Sequence, residues 1–138
     1  MDAGDGNTLV AGTWQHWVFV HDGAKDIIYL NGVEANVKSV SGNLNSTNAR
    51  MGLGYNPIDG GNYYDGALDE VKIYDGALSG QQVADLYASE KTEVALPNGI
   101  VAEYKMDGNA NDNSGNHNTG KATDVSAQTD RFVMAKVH

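Results

Sequence analysis

Gly, Asn and Asp recur at intervals of roughly eight to twelve residues through the first ninety positions, and short runs of alternating side-chain character lie between them. This punctuation is the strongest constraint on the fold. These residue types tolerate left-handed backbone and build sharp turns, and 17 Gly, 14 Asn and 13 Asp among 138 residues leave little room for long helices. The pattern predicts an all-β chain of short antiparallel strands packed as a sandwich.

Thr13 to Val20 reads as the first strand, with Trp17 and Phe19 on one face and Trp14, His16, Val18 and Val20 on the other, so both faces are expected to be covered. Asp22-Gly23 reverses the chain into Ile27 to Asn31. Asn31-Gly32 is a strong hairpin signal, and Val33, Ala35 and Val37 follow it on one face. Ala49 to Tyr55 and Gly66 to Tyr74 read as further strands, the first weakened by Gly52 and Gly54. Ser79-Gly80-Gln81-Gln82 has the form of a capping box, with Val83, Leu86 and Tyr87 at helical spacing behind it, which predicts one short helix. Residues 91–98, with mixed charge and Pro97, read as a linker between a block over 1–90 and a block over 99–138. In the second block Ile100, Ala102, Tyr104 and Met106 alternate with Val101, Glu103 and Lys105 as a half-buried strand. A polar loop then runs from Asp107 to Asn118, and Phe132 to Val137 reads as a last strand.

Composition narrows the chemistry. The formal charge of −9 repels a phosphate backbone and gives an anionic membrane no polybasic foothold, so nucleic acid is excluded as an expected partner. The absence of Cys removes disulfides, thiolate nucleophiles and Cys-based zinc sites, so any metal would be held by oxygen or His. No apolar run reaches the roughly 18 residues of a transmembrane segment, and Met1 to Gly6 carries neither the basic start nor the apolar stretch of a signal peptide.

Three stretches together resemble one family. The first is Gly12-Thr13-Trp14-Gln15-His16-Trp17-Val18 with Ile28-Tyr29-Leu30-Asn31-Gly32, and the second runs from Tyr64-Asp65-Gly66-Ala67-Leu68-Asp69-Glu70-Val71 to Ser79. The third is Val101-Ala102-Glu103-Tyr104 with Asp107 to Asn116. They resemble the laminin G-like, or concanavalin A-like, jelly-roll modules of secreted bacterial proteins. The resemblance implies an antiparallel jelly-roll sandwich in a secreted or cell-surface protein. Relative to that family the order is swapped: residues 1–90 resemble its closing half and residues 99–138 its opening strands. The middle strands have no counterpart. Either the opening strands fold back on their own chain, or they complete a neighbouring molecule by strand exchange.

Asp69 shares strand parity with Val71 and Ile73, which points its carboxylate toward the core face, where it needs hydrogen-bond donors or a cation. Asp107-x-Asn109-x-Asn111 has the alternating oxygens of a calcium loop, but Asp112 stands where an EF-hand requires Gly and Asn118 where it requires Glu. The family resemblance implies a structural calcium between Asp69 and the opening segment's Asp107 and Asp112, with Asn109 beside them. The alternatives are an Asp bonding nearby backbone amides and a solvated Asn-rich turn.

Tyr55, Asn56, Asp59, Asn62, Tyr63 and Tyr64 combine aromatic faces, which stack on the C–H face of a pyranose, with groups that bond its hydroxyls. In an extended chain Tyr63 and Tyr64 point oppositely, so one is expected to be accessible and the other packed. Trp14, Trp17 and Tyr29 read as core. The four His show no zinc spacing, no Ser, His and Asp constellation stands out, and Asp69 and Glu70, adjacent on a strand, are not the opposed pair that glycoside hydrolysis needs. The expectation is therefore a non-catalytic module binding carbohydrate or another extracellular ligand. The competing expectations are a structural protein that self-assembles by strand exchange and an accessory domain of a secreted glycosidase.

Overall fold

The computed structural model describes residues 9–42, 51–56, 62–90 and 98–122. The strands are β1 (Trp17–His21), β2 (Lys25–Leu30), β3 (Val33–Ser39), β4 (Val71–Tyr74) and β5 (Ile100–Tyr104), and the helix α1 (Gly80–Ser89) lies between β4 and β5 in the chain. One sheet has the order β1-β2-β3 and the other pairs β4 with β5. The chain divides into two compact units, Met1–Leu44 with Tyr74–Ile100 and Asn45–Ile73 with Val101–His138. Short strands in antiparallel sheets with one helix form the all-β class that the turn punctuation predicts, consistent with a concanavalin A-like sandwich.

In the first unit the turns are built by the residues that announce them. Asp22 Oδ1 accepts the N–H groups of Ala24 at 2.8 Å and Lys25 at 2.6 Å, which folds β1 back onto β2 with Trp17 opposite Leu30 and His21 opposite Asp26. Asn31 and Gly32 take φ of 52° and 80°, the two positive values that a two-residue hairpin turn demands. Gly32 is also constrained by space, because a Cβ there would lie 3.0 Å from Cδ1 of Tyr87.

The β2–β3 pairing contains a bulge. Ile28 faces Asn36 while Tyr29 faces Glu34, so Ala35 is the extra residue and the side-chain parity of β3 reverses there. Val33 and Val37 consequently occupy opposite faces, which corrects the expectation that Val33, Ala35 and Val37 share one. Val18, Val20, Ile27 and Tyr29 form the inner face and pack with Leu78, Val83 and Leu86 as the core. Trp17, Phe19, Ile28, Leu30 and Val33 line the opposite face, where Phe19 is 62% exposed and Val33 68%. Trp17, Ile28 and Leu30 are half-buried, so the expectation that both faces are covered holds for the inner face and only in part for the outer one. Of the three aromatics read as core, Tyr29 is buried, Trp17 is half-buried and Trp14 is exposed.

Helix α1 starts where the capping box places it. Ser79 Oγ accepts the Gln82 N–H at 3.3 Å and Gln82 Oε1 accepts the Ser79 N–H at 2.8 Å, satisfying two donors that a helix start leaves unpaired. Val83 and Leu86 are buried from its inner stripe, each contributing about 1.5–3 kcal/mol relative to exposure.

In the second unit β4 is shorter than expected and begins at Val71, because Glu70 adopts a φ of 51°. A non-Gly residue in the left-handed region interrupts extended backbone. Asp69 therefore does not share strand parity with Val71 and Ile73, correcting the basis on which it was aimed at the core, although it is half-buried. β5 ends before Met106, whose φ is 61°, and buries Ala102, Glu103 and Tyr104 in succession, so it is more enclosed than a half-buried strand. Residues 51–56 form no strand, and Gly54 bends there with φ of 77°. The strand expected over Phe132 to Val137, residues 91–97 of the linker and the start of the strand expected from Ala49 lie outside the described residues.

Candidate functional site

The loop that follows β5 is organised by two acceptors. Asp112 Oδ1 accepts the N–H groups of Glu103 at 3.0 Å and Ser114 at 2.9 Å, and its Oδ2 accepts the N–H of Asn118 at 2.8 Å. The Val101 carbonyl accepts from Ser114 Oγ at 3.0 Å, Asn116 Nδ2 at 3.0 Å and Asn118 Nδ2 at 3.1 Å. Tyr104 closes the far side by donating its hydroxyl to the Asn118 carbonyl at 2.6 Å. Desolvation raises the pKa of Asp112, but the hydrogen bonds from Glu103, Ser114 and Asn118 outweigh it and hold the carboxyl well below the usual range. Short polar residues can bond backbone two to six positions away, which is why so Asn-rich a segment folds into a defined loop.

The residues of the expected calcium site are placed as follows. Asp112 is the acceptor just described. Asn109 Oδ1 accepts the Asn111 N–H at 2.8 Å, and Asn109 Nδ2 donates to the Asp107 carbonyl at 3.4 Å. Asp107 is exposed and Asp69 half-buried. Among the described residues no group of three or more His, Cys, Asp or Glu is placed to hold a metal ion.

The tyrosines expected to meet a sugar come together. Tyr55 and Tyr63 lie nearly parallel, with ring centroids 6.4 Å apart and planes at 18°. The Tyr64 N–H donates to the Gly54 carbonyl at 2.8 Å, which holds the residues around Tyr55 and those around Tyr63 side by side. Tyr63 is 77% exposed, Tyr55 43% and Tyr64 45%, so Tyr64 is not packed away as strand alternation suggests, because no strand forms there. The Tyr64 ring lies over Gly66, where a Cβ would come within 2.6 Å of its Cε1 and Cζ. Asn56 is half-buried, Asn62 is exposed with φ of 57°, and Asp59 lies outside the described residues.

Two polar clusters were not foreseen. Lys72 Nζ lies 2.7 Å from Glu70 Oε2 and 3.9 Å from Glu103 Oε1, and its side chain is 5% exposed. The signal for it, a Glu-x-Lys and a distant Glu, is too common to be diagnostic. His16 Nε2 lies 3.6 Å from Glu90 Oε2, both side chains are nearly buried, and the His16 ring meets Tyr87 at 5.4 Å. His16 is thus a packed residue just before β1. Among the described residues no helix is long and apolar enough to cross a membrane.

A three-stranded meander packed with a capped helix, joined in one chain to a β-pair with an Asn-rich loop, is consistent with a concanavalin A-like sandwich. The chain belongs to the concanavalin A-like lectin/glucanases superfamily, whose Laminin_G_3 model matches residues 2–84. Among solved structures it is similar to residues 221–444 of an S-layer domain-containing protein from Clostridium thermocellum ATCC 27405, with a TM-score of 0.52 and 22% identity. That match covers 59% of this chain and 42% of the other, and at that identity it speaks for the fold alone. No curated protein matches the chain.

Proposed function

We propose that this chain is a non-catalytic cell-surface module that binds an uncharged carbohydrate on the Tyr63 ring. The observation that carries the reading is the Tyr55–Tyr63 stack, because a ring as exposed as Tyr63 keeps a fixed orientation only when something backs it. Membership of a lectin superfamily and likeness to an S-layer domain-containing protein support a binding role at a cell surface. The charge of the ligand follows from the surrounding sequence. Residues 50–72 contain Asp59, Asp65, Asp69 and Glu70 against Arg50 and Lys72, an excess of two acidic charges in a chain already at −9, so sulfated or uronic glycans are disfavoured. A glycan array read at low and high salt tests this. Binding confined to uncharged glycans and insensitive to salt supports it, whereas preference for anionic glycans overturns the charge assignment and a blank array overturns the function.

A second reading is self-association. The apolar face formed by Trp17, Phe19, Ile28, Leu30 and Val33 favours it, since sheets bury such faces against another layer. Completion by strand exchange between copies would serve the same end. Light scattering behind a sizing column, across a hundredfold range of concentration, distinguishes an assembling protein from a strict monomer.

A further inference from the structure

We infer that the segment from Asp107 to Asn118 closes without a metal ion, Asp112 being neutralised by backbone amides where a calcium-binding loop would neutralise it with the cation. A carboxylate offers about four acceptor positions, and the N–H groups of Glu103, Ser114 and Asn118 occupy three of those on Asp112 at 2.8–3.0 Å. A cation approaching the same oxygens would meet three amide hydrogens carrying partial positive charge. The neighbouring oxygens are committed in the same manner. Asn109 Oδ1 receives the Asn111 N–H, and the Val101 carbonyl receives three side-chain donors. Calcium takes six to eight oxygens, typically including several carboxylates, and Asp69 and Asp107 do not join Asp112 in a group placed to hold one.

The arrangement also explains the composition of the loop. Ser114, Asn116 and Asn118 are spaced two apart, and their side chains all converge on the Val101 carbonyl, tying the start of β5 to a segment up to 17 residues later. Asp112 fastens Glu103, two residues further along the strand. The lock is therefore complete in hydrogen bonds of its own, and its closure is independent of calcium.

The test is thermal unfolding of the full chain in millimolar calcium and in excess chelator, with isothermal titration of calcium into the chelated protein as a direct reading. The expected result is one midpoint in both media, no binding heat, and an Asp112→Asn variant whose midpoint falls equally in both. A rise of several degrees on adding calcium to the wild type, or a saturable binding heat, overturns the inference. Should Asp112→Asn fail to fold, the wild-type comparison and the titration decide alone, with Asp107→Asn expected to match the wild type in both media.

Discussion

His16 Nε2 sits 3.6 Å from Glu90 Oε2, which joins the residue preceding β1 to the C-cap of α1 at a place where both side chains are nearly buried. The helix is thereby fastened at both ends: Tyr87 and Glu90 meet His16 near its end, while the Gly80 backbone lies close to the Tyr29 ring at its start. Glu90→Ala leaves a buried imidazole facing a vacated carboxylate site. The expected loss is about 1–3 kcal/mol in chemical denaturation, with Glu90→Gln losing less because a hydrogen-bonding group remains.

Lys72, itself enclosed, is the counter-charge for Glu103, whose side chain is 11% exposed, and for Glu70, at 27%. Lys72→Ala would strand both, and removing one partner of a buried ion pair costs about 3–5 kcal/mol. Removing all three charges with a Glu70→Gln, Lys72→Met, Glu103→Gln triple variant should recover most of that loss. Equal stability of Lys72→Ala and wild type in urea melts would show that water reaches the network.

At the hairpin, Gly32 answers to backbone and space together. Its φ of 80° is unfavourable for other residues, and a Cβ would press on Tyr87 at 3.0–3.3 Å. Gly32→Ala should destabilise by more than about 1 kcal/mol, and pairing it with Tyr87→Ala should relieve only the part due to contact. Additive losses in the double variant would mean that Tyr87 moves aside freely.

His21 gives the first unit a dependence on pH. Its hydrogen bond with Asp26 at 2.8 Å raises the imidazole pKa above 6.5, partial burial opposes this, and the Gly42 carbonyl and the charges of Asp26 and Asp22 add to it. A group whose pKa is raised on folding stabilises the fold below its unfolded pKa and loses that contribution as pH rises through the folded value. The stability difference between wild type and His21→Asn should therefore be largest near pH 6 and shrink toward about pH 8. A difference that stays constant over that range would remove His21 as its source.

What was legible in the sequence was local. Asn31-Gly32, Asp22-Gly23 and Ser79 to Gln82 each dictate their own backbone within four residues, and each turn or cap stands where the sequence places it. The family pattern was legible for the same reason, being carried by short strings such as Tyr29-Leu30-Asn31-Gly32. The bulge at Ala35 was not, because it depends on which residue of β3 meets Tyr29 across the sheet. Nor was the positive φ of Glu70, which no local residue preference demands and which shortened β4 and turned Asp69 away from its expected parity. Asp112 reads in the sequence as a candidate calcium ligand; its donors in the structure are amides contributed by Glu103, Ser114 and Asn118, and spacing alone does not distinguish an amide from a cation. Tyr55 and Tyr63 lie close together, and the alternation that would leave one of Tyr63 and Tyr64 accessible and the other packed does not apply, because no strand forms there and both are exposed.

The central claim is that Tyr63, held by Tyr55, is the contact surface for an uncharged glycan. Calorimetric titration of the best array ligand into wild type, Tyr63→Ala and Tyr55→Ala tests it directly, with thermal melts to show that each variant is folded. The account predicts that Tyr63→Ala weakens binding by at least about tenfold at an unchanged melting temperature, and that Tyr55→Ala weakens it less, by freeing the ring it backs. Undiminished affinity in folded Tyr63→Ala would contradict it.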